Sequence, residues 1–265
     1  MVPKLSQEDY RKSNIGFVCS QLQVNRGLGG KIAVRFLDAE LKVTDLSYQD
    51  LNLRSNQVAN LLRSEGFEIG EKAFIFLPKC IEIYEIFLGI LKAGLVAGTL
   101  FSSFGPEALL DRLSDSGASV VFTKKKMAGK IMRVIDQLPN LREIILIDSD
   151  DNLELRQKGY NQLLSKIPTD FSCSLFGQKP AILHYTSGST GKPKGVLHVH
   201  SAIQSHISSF EEVFQPLDDD IYWCTADPAW VTGTSYGIIA PLACGISQIQ
   251  YAGVFDPSIW LSIIE

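Results

Sequence analysis

Three glycines, two lysines and four serine or threonine hydroxyls fall within Tyr185-Thr186-Ser187-Gly188-Ser189-Thr190-Gly191-Lys192-Pro193-Lys194-Gly195. Glycine lets backbone N–H groups turn toward a ligand, and the hydroxyls and ammonium groups add further donors. Donors concentrated in one loop suit an anion rich in oxygens, and a polyphosphate is the natural candidate. Composition alone leaves a plain solvated turn equally open. A Walker A loop is excluded by spacing. That motif requires a glycine where Thr186 stands and a serine or threonine where Pro193 stands. Pro193 also lacks an N–H and restricts Lys192 before it, so no helix starts there as in a Walker loop.

The elements that must hold this loop are legible on either side. Ala181-Ile182-Leu183 and Val196-Leu197 are apolar, so the pattern reads strand, exposed loop, returning strand. Upstream, Lys31 to Phe36 alternates like a half-buried strand, and Leu41-Lys42-Val43 fits the return of a hairpin. Ser47-Tyr48-Gln49-Asp50 is a capping box ahead of Leu51, Val58, Leu61 and Leu62 at helical spacing, with Gly66 closing the helix. Ala73 to Leu77 is a continuous apolar run stopped by Pro78, as expected of a parallel strand covered on both faces. Helices are predicted from Ile81 to Lys92 and from Pro106 to about Gly117. Val120-Val121-Phe122 and Ile144 to Ile147 read as strands, with a helix over Ile131 to Leu138 between them.

Asp148 to Asp170 reads as a polar surface link, and Met1 to Gly30 as a weakly patterned extension. After the loop, Ser201-Ala202-Ile203-Gln204 is a second capping box opening a helix to about Phe214. Ile221 to Cys224 and Ser247 to Tyr251 are predicted strands, Thr234 to Leu242 a helix, and Asp256-Pro257 begins another that stops at Glu265. The alternation defines an α/β fold with parallel or mixed sheets flanked by helices.

With 265 residues, 45% hydrophobic and 20% charged, the chain has the composition of an ordinary globular protein able to bury a substantial core. A net charge of −4 with scattered basic residues argues against a nucleic-acid partner. Cys19, Cys80, Cys173, Cys224 and Cys244 are odd in number and far apart, which fits free thiols in a reducing cytosol. No apolar stretch reaches the ~18 residues that a membrane span requires. A soluble, cytoplasmic protein with no membrane partner is therefore expected. His198 and His200 alternate as on a strand, and no cluster of partners marks a metal site.

The order of residues in Thr186–Gly195, T-S-G-S-T-G-K-P-K-G, resembles the signature of the AMP-forming adenylating superfamily. Trp223-Cys224-Thr225-Ala226-Asp227-Pro228-Ala229-Trp230-Val231-Thr232-Gly233 is similar to the W-x-T-A-D-x-x-W-V-T-G pattern of its acetyl-CoA synthetase group. Leu100 to Leu109 and the whole of Phe74 to Phe122 also resemble that group, and the likeness spans roughly Lys31 to Trp260.

The resemblance implies that the chain is the front part of the large N-terminal domain. Residues 1–30 would be an extension, and 31–265 a partial AMP-binding domain. It also implies ATP with Mg2+ and coenzyme A as co-substrates. Thr186, Ser187, Gly188, Ser189, Thr190, Gly191, Lys192 and Lys194 would bind the nucleotide phosphates. Trp230, Val231, Thr232 and Gly233 would form the acyl pocket, with Thr232 near the coenzyme A thiol arm. A bulky indole can shorten such a pocket, while an aromatic cluster is more often a core feature.

Where the group carries a basic R-x-G-R segment, this chain has Met127-Ala128-Gly129-Lys130, so only Lys130 keeps the charge for a coenzyme A phosphate. The group's later adenine, ribose and catalytic-lysine segments have no match here, so no catalytic residue is assigned. The expected activity is acetate or short-chain acyl–CoA ligation by the intact enzyme. A non-catalytic nucleotide-binding paralogue and an enzyme for propionate or an aryl acid are the alternatives.

Overall fold

Two sheets organise the chain. The computed structural model describes residues 6–150, 153–174, 176–187 and 191–265. Its strands are β1 (Ile32–Leu37), β2 (Val43–Ser47), β3 (Lys72–Phe76), β4 (Val96–Thr99), β5 (Val120–Thr123) and β6 (Glu143–Leu146). They continue with β7 (Gln157–Gly159), β8 (Pro180–Thr186), β9 (Lys194–Val199), β10 (Ile221–Trp223) and β11 (Ser247–Tyr251). The larger sheet has the order β7-β6-β5-β3-β4-β8-β9. Its neighbours are parallel except for the β8–β9 hairpin. The smaller has the order β10-β11-β1-β2, with β1 parallel to β11 and antiparallel to β2. This is the expected α/β architecture with mixed sheets flanked by helices.

The unbroken apolar run in β3 is explained by what lies on its two faces. Ala73 and Ile75 pack into one core, with Leu51, Val58, Leu61 and Leu62 of the Tyr48–Ser64 helix and Ile83, Phe87 and Ile90 of the Glu82–Lys92 helix. Phe74 and Phe76 enter a second core with Leu109 and Leu113 of the Pro106–Ser116 helix and Ala128 and Ile131 of the Lys125–Met132 helix. A parallel strand buried on both sides cannot alternate with polar residues. Each fully buried side chain of this size contributes roughly 1.5–3 kcal/mol.

Local signals are met where they are self-contained. Ser47 Oγ accepts the Asp50 N–H at 3.1 Å and Asp50 Oδ2 accepts the Ser47 N–H at 3.2 Å, so both arms of the capping box are made. Lys92, at the end of the Glu82–Lys92 helix and itself buried, has no carboxylate partner among the described residues. Its Nζ donates to Asn52 Oδ1, Ser55 Oγ and Asn56 Oδ1 at 2.7–2.8 Å, and burial lowers its pKa to about 7.

Five expectations are corrected. Residues taken for a weakly patterned extension form short helices, Gln7–Lys12, Ile15–Val18 and Gln21–Gln23, with Ile15, Val18, Cys19 and Leu22 buried in the first core. The Ser201 capping box does not form. The chain enters through a His200–Ala202 3₁₀ turn, the Ile203–Phe214 helix has Ala202 at its cap, and Ser201 Oγ instead accepts from Gln178 Nε2. The helix expected over Ile131–Leu138 lies earlier, at Lys125–Met132, and only a 3₁₀ turn at Ile135–Gln137 follows. The supposed surface link 148–170 contains edge strand β7 and the helix Tyr160–Leu164, where buried Tyr160 donates to Glu85 Oε1 at 2.7 Å. In addition, the helix expected from Thr234 starts at Val231 and runs in successive helical turns to Cys244.

Candidate functional site

Parallel strands all deliver their carboxyl ends to one edge of a sheet, and in open α/β sheets ligands bind outside that edge. Here β3 leads to Lys79, β4 to Phe101–Phe104, β5 to the helix bearing Lys130, and β8 to Thr186. The donor-rich loop is therefore the tip of the β8–β9 hairpin, where Tyr185 pairs with Gly195 and Thr186 with Lys194. Thr186, Ser187, Gly191, Lys192 and Lys194 are exposed, as a polyanion cradle requires. Gly191 has φ +87°, a left-handed conformation that other residues rarely adopt. Gly188, Ser189 and Thr190 lie outside the described residues.

A cavity of about 360 Å³ separates Lys192 and Pro193 from Asp111, Ser114 and Asp115 on the Pro106–Ser116 helix. A larger cleft of about 560 Å³, lined by Lys72, Ser119 and Arg142, sits at the opposite, amino ends of β3 and β5. The smaller one is favoured because Lys192 and Pro193 of the loop line it.

The Trp223–Gly233 segment crosses the same edge. Lys79 Nζ donates to the Thr225 carbonyl at 3.2 Å. Burial lowers the pKa of this amine, partly offset by Asp227 and Cys224. Asp227 shapes the turn that follows: its Oδ1 accepts the Ala229 N–H and its carbonyl accepts the Trp230 N–H, both at 2.9 Å. Gly233 is required here, because a Cβ would stand 1.9 Å from the Asp227 carbonyl oxygen. Trp230, 61% exposed, meets Phe101 edge-on with ring centroids 5.2 Å apart. Val231 and Thr232 are exposed beside it, while Gly233 is buried. Lys130 Nζ donates to the Ser102 carbonyl at 3.0 Å and lies over the Phe76 ring, which brings it to the Phe101–Phe104 turn. Lys125 and Lys126 are exposed.

The structure thus gathers the loop, Trp230 and Lys130 along one edge. Lys79, Phe101, Phe104 and Arg112 belong to the same edge and were not singled out by sequence. Phe101 and Phe104 lay inside the Leu100–Leu109 likeness, and Lys79 directly follows Pro78 at the strand end, a position that could have drawn attention. His198 does not align with His200. Its ring faces His184 at 5.6 Å, whereas His200 stacks on Phe176. Among the described residues no group of three or more His, Cys, Asp or Glu side chains is arranged to hold a metal ion, and no helix is long and apolar enough to cross a membrane.

Fold and loop together define an α/β protein with a donor-rich hairpin at the carboxyl edge of its larger sheet. The chain belongs to the family described as AMP-binding enzyme, which matches residues 22–265. It is 38% identical to an acetyl-coenzyme A synthetase of Bacillus subtilis (strain 168), over 89% of this chain and 41% of that protein. It is 33% identical to an acetyl-coenzyme A synthetase of Pyrobaculum arsenaticum, over 83% and 36% respectively. Among solved structures, an acyl-CoA synthetase of Brucella canis superposes with TM-score 0.85 at 26% identity, covering 95% of this chain and 45% of that one. The chain spans about two fifths of the length of the curated relatives it matches.

Proposed function

We propose that this chain is the phosphate- and acyl-binding front part of an AMP-forming short-chain acyl-CoA synthetase, with acetate as the favoured acid. In the reaction proposed for the intact enzyme, a carboxylate oxygen attacks the α-phosphorus of ATP and pyrophosphate leaves. A thiol, that of coenzyme A, then attacks the acyl carbon and releases AMP. The contribution of this chain is to hold the β- and γ-phosphates in line while charge moves onto them, a matter of positioning and electrostatics.

Thr186, Ser187, Gly188, Ser189, Thr190, Gly191 and Lys192 would supply the donors, with Lys194 behind them. Magnesium would arrive with the nucleotide as part of the substrate. Trp230, Val231, Thr232 and Gly233 would bound the acid. Lys130, with Thr232, would face coenzyme A. The observation that supports this most is the placement of the hairpin loop and the Trp230 turn on the same carboxyl edge, both carrying the residue patterns of the family.

Calorimetric titration with Mg-ATP and with pyrophosphate tests the phosphate assignment. Both are expected to bind, and Lys192→Ala with Lys194→Ala to weaken both. Isotopic pyrophosphate exchange with acetate tests the rest. Residues 1–265 alone are expected to exchange little or nothing, because the later adenine, ribose and catalytic-lysine segments are not in this sequence. Robust exchange by this chain would sink that part of the reading.

A further inference from the structure

An unbroken set of ring and cation contacts runs from Trp230 to the root of the phosphate loop. Trp230 meets Phe101 at 5.2 Å and 71°, and Phe101 meets Phe104 at 5.3 Å and 78°, both edge-to-face. The guanidinium carbon of Arg112 lies 4.3 Å from the Phe104 centroid and 5.9 Å from that of Tyr185. Tyr185 immediately precedes Thr186, and its hydroxyl donates to Asp115 Oδ2 at 2.7 Å, with the Arg112 carbonyl 3.2 Å away as a second acceptor. Arg112 Nη1 is itself fixed by the Ala108 carbonyl at 2.9 Å. A planar guanidinium can serve two rings at once, and its attraction to them grows as water is excluded. Arg112 is only partly exposed.

We propose that Arg112 is a positioning residue that couples the phosphate loop to Trp230, so that filling the loop reorients the indole at the acid subsite. This rests on the reading of Thr186–Lys194 as the nucleotide cradle. The physical link is short. Backbone pairing holds Tyr185 opposite Gly195, so a change in the loop moves the Tyr185 ring against the guanidinium. The guanidinium then shifts Phe104, and Phe104 shifts Phe101 beneath Trp230.

The test uses the full 265-residue chain carrying Trp223→Phe and Trp260→Phe, which leaves Trp230 as its single tryptophan. Acrylamide quenching of Trp230 is followed while Mg-ATP, or inorganic pyrophosphate, is added. Quenching is expected to change on saturation. Arg112→Met is expected to weaken nucleotide binding about three- to tenfold and to abolish the Trp230 response even at saturation. Arg112→Lys keeps a cation over Phe104 and is expected to restore part of the affinity.

A role confined to stability would lower affinity yet preserve the response at saturation, and that result overturns the proposal. Should Arg112→Met fail to fold by circular dichroism, Tyr185→Leu removes the ring that meets the guanidinium. An undiminished response in that variant overturns the coupling. If the parent chain binds neither ligand, the nucleotide reading fails. The contact chain is then judged without ligand: Arg112→Met must raise the quenching of Trp230, and no change refutes it.

Discussion

Mild acid is expected to loosen the docking of the N-terminal helices, and His200 is the residue that decides it. The side chain is fully buried, stacks on Phe176, and accepts the Ile15 N–H at Nδ1 over 3.1 Å. The proton must therefore sit on Nε2, which finds no partner among the described residues. Protonating Nδ1 would set two donors against each other and bury a charge. Burial accordingly lowers the pKa of His200 from 6.5 to about 4.

The folded value is depressed, so between about pH 6.5 and pH 4 the unfolded chain binds the extra proton. Stability is full above that window and falls as pH drops through it. Linkage over this shift gives a loss of about 2 kcal/mol between pH 7 and pH 5 from this group, as an upper estimate. His184 and His206, likewise lowered to about 4 mainly by burial, add losses of the same sign.

Urea unfolding at pH 7, 6 and 5 measures the total. His200→Asn isolates one share, because an amide oxygen can take the Ile15 N–H without titrating. The variant's stability is expected to fall by about 2 kcal/mol less than the parent's across this range. Parallel profiles for the two proteins would refute the assignment.

Two further outcomes follow from buried groups. Lys92 is depressed to about 7 by burial while an unfolded lysine stays protonated to about 10.5, so its burdening of the fold is relieved as pH rises through that interval. Relative to Lys92→Met, the parent is expected to gain about 2 kcal/mol between pH 7 and pH 9 in urea unfolding, and a difference that stays flat contradicts it. Gly233→Ala would drive a Cβ into the Asp227 carbonyl. A loss of roughly 1–3 kcal/mol together with a shifted tryptophan emission is expected, and an unchanged melting curve would show that the turn yields freely.

Much of the molecule is written locally. Apolar runs such as Ala73–Leu77, bounded by Pro78, fit strands covered on both faces, the Ser47–Asp50 box closes within one turn, and the donor-rich loop is contiguous in sequence. Errors arose where a local pattern met a competing tertiary contact. Ser201 matches a capping box, yet its N–H is held by the Gly177 carbonyl and its hydroxyl by Gln178, so the chain enters the helix through a 3₁₀ turn instead. Residues Ile15 to Leu22 are short and mixed in pattern. Their burial depends on Asn14 donating to the Leu91 carbonyl and on His200 receiving the Ile15 N–H.

That the chain carries a donor-rich loop and, separately, an aromatic turn was determined by residue types and spacing alone. Which groups share the site was decided only by the tertiary structure. The pairing of β1 with β11 brings residues 34–37 against 248–251, and the parallel order β5-β3-β4-β8 sets Lys130, Lys79, Phe101 and Thr186 along one edge. Arg112 becomes a link between loop and indole only because its helix packs over that edge. Periodicity reports which face of an element is buried. Which partner meets that face depends on closing loops of many tens of residues, and the neighbours of one residue in sequence do not carry that information.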